Sequence, residues 1–232
     1  MAAVCMPRGG WTMKIENCEF PDSLLYEDEG FVWARPEPSG EFTVGATSIQ
    51  VALAGRLTKI APKPLGAEYG RGKSLGSIES GKYFGAIRAP FDGVLVAVNE
   101  SVVRRPRLLS ADPYGDGWYA RLRPKDDSAG ATLRPPEELQ ERFVSQIAAL
   151  RVHCFAAFPD YEMFEIGTEC AAVLVKLDEL IAHAGPGEVV HIVSDDWTAP
   201  AEMENWSVRT GHPVVESRKE GSLYHFLVRK VA

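Results

Sequence analysis

The sequence predicts two domains of different class, an all-β barrel or sandwich over residues 20–124 followed by a two-layer α/β sandwich of order βαβαββ over 160–232. Three observations predict this. From Glu41 to Arg123 the chain is a succession of short alternating apolar runs broken by Gly and Pro, the pattern of a small closed or two-sheet β fold. The stretch PKDDSAGATLRPP at 124–136 is polar and rich in Pro, Gly and Asp, as linkers and domain edges are. Beyond Pro159 the apolar period alternates between that of strands and that of helices. At 232 residues the chain can bury two modest cores.

Taken in order, residues 1–19 read as an extension. The runs EFTVGAT, RLTKIA, KSLGSIE, YFGAIRA, GVLVAV and WYARLR read as strands, with turns at APKPLG, APFDG and DPYGDG. Residues 125–159 read as linker and helix: Leu139, Phe143, Ile147, Leu150, Cys154 and Phe158 share a face, Pro135 and Pro136 suit the first turn, and Pro159 ends it. In the second domain YEMFEIGTE and EVVHIVSDD read as strands, CAAVLVKLDELIAHAG and WTAPAEMENWSVRTG as helices, and HPVVESRKEGSLYHFLVRK as a hairpin turning near Gly221. This order predicts two helices on one face of a four-stranded sheet, with the other face available for docking.

Composition excludes several function classes. A net charge of −7 and a pI near 5.3, with Lys and Arg scattered, do not suit a nonspecific nucleic-acid binder. No apolar run approaches the roughly 18 residues that cross a bilayer, and the opening MAAVCMPRGGW lacks a secretion signal's apolar core. The expectation is a cytoplasmic protein without membrane partners. Cys5, Cys18, Cys154 and Cys170 show neither a CxxC pair nor metal-ligand spacing, so neither a metal site nor a disulfide framework is expected. Walker, GxSxG, HExxH and GxGxxG signatures are absent as well.

The short stretch Glu79-Ser80-Gly81-Lys82 lies between two apolar strand runs. Gly81 supplies the positive φ of a close reversal, which places Lys82 at a hairpin tip. There it is either a solvated turn residue or a group carrier's attachment point. Residues 31–124 resemble the glycine cleavage H protein, a lipoyl carrier: the resemblance rests on FTVGAT, on Gly72 ten residues before the lysine, on SIES before it, on AP and FDG after it, and on VNE and DPYGDGW. The resemblance implies covalent lipoate on Lys82, with Glu79, Gly72 and Gly93 presenting the turn to lipoylating enzymes. A biotin carrier would show Met on both sides of the lysine, where Gly81 and Tyr83 stand. The tip ESGKYFG departs from the usual ESVKA. With the entry segment CEFPDSLLYEDEGFVWARPEPSG, it is similar to the lipoate-binding proteins that serve heterodisulfide-reductase-like complexes in sulfur oxidation, a resemblance that also implies Met13 as an alternative start.

The second half resembles the TusA sulfur carriers through GTECAAVLVKLDELI, PGEVVHIVSDD and EGSLYHFLVRK. That family reads Cys-Pro-x-Pro at its carrier cysteine, whereas Ala171, Ala172 and Val173 follow Cys170. Either Cys170 carries a persulfide, as an exposed thiol whose pKa a helix N-terminus depresses, or it is a packed apolar residue in a docking domain. Cys18 is expected to be a small buried hydrophobe and Cys154 a core residue on its helix beside His153. Asp195 and Asp196 read as helix-capping residues, and Arg104, Arg105 and Arg107 as a solvated cluster or a partner-facing patch.

Together these imply a non-catalytic carrier of sulfur intermediates and electrons. Its partners would be a lipoylating ligase or assembly system, a sulfurtransferase, and a heterodisulfide-reductase-like complex or dihydrolipoyl dehydrogenase. The alternatives are a carrier of an aminomethyl group in glycine cleavage, with the second domain only docking, and an adaptor without lipoate.

Overall fold

A computed structural model describes residues 11–231 and divides the chain into two compact units between Cys154 and Phe155. Cys5 and the start of the expected extension lie outside the described residues. The first unit contains β1 (Thr12–Ile15), β2 (Cys18–Pro21), β3 (Leu25–Glu27), β4 (Val32–Pro36), β5 (Phe42–Ala46), α1 (Ser48–Ala54), β6 (Leu57–Pro62), β7 (Glu68–Tyr69), β8 (Ser74–Ser80), β9 (Phe84–Arg88), β10 (Gly93–Val98), α2 (Glu100–Arg104), α3 (Arg107–Ala111), β11 (Ala120–Pro124), β12 (Leu133–Arg134) and α4 (Gln140–Leu150).

These strands form the anticipated β-sandwich. One sheet runs β12-β3-β4-β5-β11-β10-β7 and a second β6-β8-β9, while β1 and β2 pair as a separate hairpin. The apolar residues of the two larger sheets, among them Leu75, Ile78 and Ile87 on one and Val44, Leu95 and Leu122 on the other, are buried. Tyr119 spans the interior, its hydroxyl donating to the Leu75 carbonyl at 3.1 Å. A side chain on Gly76 would collide with that hydroxyl, which is why the β8 run reads SLGS at this point. Asn99 accepts from Ser101 N–H and donates to the Asp116 and Trp118 carbonyls, and Tyr114 accepts from Ser48 N–H at 2.8 Å. The VNE and DPYGDGW segments thus fasten the loop before β11 to the end of β10 and to the start of α1.

Residues 136–158 correct the sequence reading. Pro136–Leu139 forms a 3-10 turn, α4 follows, and Arg151 ends it in the left-handed region with its N–H on the Ala148 and Ile147 carbonyls. Cys154 and Phe158 therefore lie beyond the helix, since the cap turns the chain before Pro159 can. The helix packs into the first unit: Phe143 stacks on Phe20 with ring centroids 4.0 Å apart and meets Tyr26 edge-on. With Ile147, Trp33 and Ile49 these rings form a core joining α4 to the β1–β2 hairpin. Truncating one such aromatic costs about 3–5 kcal/mol.

The cysteines correct it again. Cys18 and Cys154 form a disulfide across a sequence separation of 136. In the chain-entropy account, closing a loop of that length restricts the unfolded chain by about 5 kcal/mol. No spacing rule reveals such a pair, because the partners meet only once α4 packs on the hairpin.

The second unit contains β13 (Tyr161–Glu165), α5 (Cys170–His183), β14 (Val189–Ser194), α6 (Ala199–Thr210), β15 (Val214–Glu220) and β16 (Leu223–Arg229). The sheet order is β13-β14-β16-β15. β13 and β14 are parallel, with α5 as their crossover, and the other pairings are antiparallel. Val173, Leu177 and Ile181 of α5, at four-residue spacing, pack with Met203 and Trp206 of α6 on Val190, Ile192, Phe226 and Val228. Trp206 Nε1 donates to Asp178, joining the helices at 2.7 Å. Gly221 turns the final hairpin with φ +61°. Among the described residues no helix is long and apolar enough to cross a membrane.

Candidate carrier sites

Lys82 stands in the three-residue reversal Gly81–Tyr83 between β8 and β9, and it is exposed. The reversal is closed by Ser80 N–H donating to the Tyr83 carbonyl at 2.8 Å, and Lys82 N–H donates to Ser80 Oγ at 3.2 Å. The same Ser80 hydroxyl donates to the Ala54 carbonyl at 2.7 Å, latching the turn to the C-terminus of α1. Gly81 takes no positive φ and has open space where a Cβ would be. The expectation that glycine is needed there for backbone conformation is thus corrected: a three-residue reversal does not require it. The lysine side chain instead uses a different glycine. Its Cε lies 2.6 Å from where a Cβ on Gly55 would stand, and Gly55 itself has φ +68°.

The other residues named for this site hold the hairpin in different places. Glu79 is one residue from the turn and pairs with Lys59 at 3.2 Å on the neighbouring strand. Across β9 its register partner is Phe84, whose side chain is 77% exposed. Lys59, Glu79 and Phe84 thus form a row beside Lys82. Sequence reasoning missed Phe84, although alternation against the buried Ile87 would have placed it outward. Gly72 and Gly93 lie near the far end of the β8–β9 hairpin. Gly72 adopts φ +75° in a turn whose N–H reaches the Ala89 carbonyl at 2.8 Å. A Cβ on Gly93 would approach the Arg123 carbonyl oxygen to 2.6 Å. Both glycines fix the base from which the tip projects.

Cys170 does begin a helix, as anticipated, but its environment reverses the rest of that expectation. The residue is 4% exposed and packs with Met163 and Val173 in the core of the second unit. Burial and the nearby carboxylates of Asp196 and Glu202 push its thiol up to about 11 rather than down. The cause is topological. Because β13 and β14 run parallel, with Glu165 opposite Ser194, the residues after β14 lie beside the start of α5. Asp196 Oδ2 accepts the Cys170 N–H at 2.9 Å, while its Oδ1 accepts from Thr198. Asp195 accepts from Gly167 N–H at 2.8 Å. Asp196 caps the first amide of α5 and closes the turn that enters α6, whereas Asp195 holds Gly167 in the loop ahead of α5 rather than capping a helix as expected. The negative charge of Asp196 takes the place a thiolate would occupy at the helix N-terminus. Trp197 beside it is 80% exposed.

His153 and Cys154 follow α4 rather than lying on it. Arg104 and Arg105 are exposed at the end of α2, and Arg107 is half-buried at the start of α3. Among the described residues no group of three or more His, Cys, Asp or Glu is placed to hold a metal.

The family model described as "Glycine cleavage H-protein" matches residues 24–146, and that described as "Sulfurtransferase TusA" matches 166–230. "Glycine cleavage system H protein 5" of Aquifex aeolicus is 42% identical over 115 residues, 48% of this chain and 77% of that protein. "Probable glycine cleavage system H protein 2" of Sulfurisphaera tokodaii is 35% identical over 140 residues, 60% of this chain and 88% of that protein. A crystal structure of a glycine cleavage system H protein from Mycobacterium marinum covers 53% of this chain and 98% of its own, at 28% identity and a TM-score of 0.47. The chain belongs to the glycine cleavage H-protein family, with a TusA sulfur-carrier domain fused after it.

Proposed function

We propose that this fusion is a lipoyl-bearing carrier that moves sulfur intermediates and electrons between partner enzymes in the cytosol, with Lys82 as the attachment residue. The observation that carries the reading is the exposed Lys82 on a turn anchored to both neighbouring strands and to α1, in a family that holds lipoate covalently. A carrier needs its nucleophile on a rigid base with room around it, and the residues present fit lipoate on both counts. Bound there, the group would supply a dithiol–disulfide couple, one thiol taking the outer sulfur of a donor's persulfide and ring closure releasing that sulfur at the sulfide level. The chain's own part is positional: Ser80 fixes the turn, Gly55 leaves space for the lysine stem, and the Lys59–Glu79–Phe84 row offers lipoylating enzymes a polar pair flanked by an exposed ring. Partners of this reading are a lipoylating ligase or assembly system, a sulfurtransferase, and a heterodisulfide-reductase-like complex or dihydrolipoyl dehydrogenase.

In the same reading the second unit receives sulfur at Cys170 from a donor that docks on Trp197 and displaces the Asp196 loop. The loop must move because the thiol is otherwise buried and held protonated. The relatives' names favour a second reading, an aminomethyl carrier with the second unit as a docking module. Incubating lipoylated protein with a persulfide donor and its sulfurtransferase, or with glycine and a glycine decarboxylase, separates the two. Peptide mass mapping should show sulfur on the Lys82 arm in the first case and no aminomethyl group in the second. The reverse pattern would overturn the proposal.

A further inference from the structure

The Cys18–Cys154 bond stands at one end of α1 and the seat of the Lys82 stem at the other. Cys154 Sγ lies 3.8 Å from the carbonyl oxygen of Ser48, the first residue of α1. Lys82 Cε lies over Gly55, the residue that caps it. Seven residue steps of helix separate Ser48 from Gly55, about 10 Å. A lipoyl chain adds about eight bonds from Cε to its nearer ring sulfur, roughly 10 Å of reach when extended. Between the two ends, Ala52 and Leu53 are partly exposed and pack on the cluster that contains both cysteines, an apolar track suited to an aliphatic arm.

The pair is nearly buried. Cys18 is 0% and Cys154 6% exposed, so a dilute oxidant in solution meets only the edge of Cys154, whereas one tethered within reach samples that edge at a high effective concentration. Reducing compartments also do not install such bonds spontaneously. We infer that the disulfide of a lipoyl group on Lys82 is the oxidant that forms the Cys18–Cys154 bond, within the same molecule. This inference rests on the lipoyl reading above.

The exchange balances. Cys154, the more accessible sulfur, attacks one ring sulfur as a thiolate; a Cys154–arm disulfide forms and the ring S–S bond breaks. The Cys18 thiolate then attacks Cys154 Sγ, the Cys18–Cys154 bond forms, and the arm's sulfur departs. The two cysteines lose two electrons and two protons in total, and the arm gains them as a dithiol. A dihydrolipoyl dehydrogenase with NAD then returns the arm to its ring form.

The test begins with full-length lipoylated protein, its modification verified by intact mass, and with Lys82→Arg. Both are reduced with a phosphine, desalted without oxygen, and given dihydrolipoyl dehydrogenase and NAD. Samples are quenched with a maleimide under denaturing conditions and the cysteine peptides mapped. In the lipoylated protein, Cys18 and Cys154 should lose alkylation together, at a rate independent of protein concentration, while Cys170 remains alkylated as an internal reference. In Lys82→Arg both should stay alkylated, closing at least tenfold more slowly. Oxidation of the arm with Cys18 and Cys154 still alkylated, or equal closure in the two proteins, would overturn the inference and leave the lipoyl reading standing. Absence of lipoyl in the intact mass of natively purified protein would overturn the lipoyl reading and this inference with it.

Discussion

The turn that carries Lys82 and the helix start that carries Cys170 present their nucleophiles in opposite ways. Lys82 extends from an exposed hairpin end, so its direction follows from local chain geometry. Cys170 starts its helix beside the end of a parallel neighbour strand, so whatever follows that strand decides its surroundings. Here that is Asp196, which takes the helix amide and adds its charge to the burial that raises the thiol. A residue's place in an element fixes its direction, whereas its reactivity depends on what the topology brings next to it.

Lys82→Arg sharpens the comparison most. It should abolish lipoylation entirely and leave stability within about 0.5 kcal/mol, as exposed substitutions do. Lipoyl detection on the variant, alongside thermal unfolding, checks both halves. On the other side of the comparison, Asp196→Asn should bring the Cys170 thiol down from about 11, measured as the pH dependence of alkylation, because it removes the carboxylate that opposes the thiolate. The fold favours the protonated thiol, its value rising from 9.0 to about 11. The resulting stabilisation is whole below about pH 9 and lost as pH rises through about 11. The stability difference between the wild type and Cys170→Ala should therefore narrow across that interval, as read by unfolding at each pH.

The two base glycines separate presentation from packing. Gly93→Ala forces a Cβ against the Arg123 carbonyl and should destabilise the first unit by about 1–3 kcal/mol. Gly72→Ala has open space but a positive φ and should cost about 1 kcal/mol. Each folded variant should still be lipoylated at the wild-type rate, since neither touches the tip. Lipoylation lost ahead of stability would give these glycines a direct part in recognition. The smallest effect belongs to Gly81→Val, where neither φ nor space opposes the side chain. Stability should hold within about 0.5 kcal/mol, and only the lipoylation rate by different enzymes should shift.

Much of this was legible in the sequence because it is local. The strand runs of the first unit, the βαβαββ order of the second, the hairpin around Lys82 and the turn at Gly221 all follow from period and turn chemistry within a few residues. What was not legible depends on distant partners. The Cys18–Cys154 bond joins residues 136 apart, and the apolar face of α4 was legible while its partners were not, because Phe143 finds Phe20 and Tyr26 only in the folded unit. Cys170 carried the motif position of a carrier thiol, but the core that buries it and the two carboxylates beside it, from beyond β14 and from α6, assemble only in the fold. Phe84 is the exception, a local signal in the alternation of β9.

The account's central claim is that Lys82 bears lipoate, and intact mass with peptide mapping of the protein purified from its native host tests it most directly. The account predicts a single lipoyl increment, located on Lys82 and absent from every other lysine. Unmodified Lys82, in cells whose other lipoyl proteins are fully modified, would contradict it.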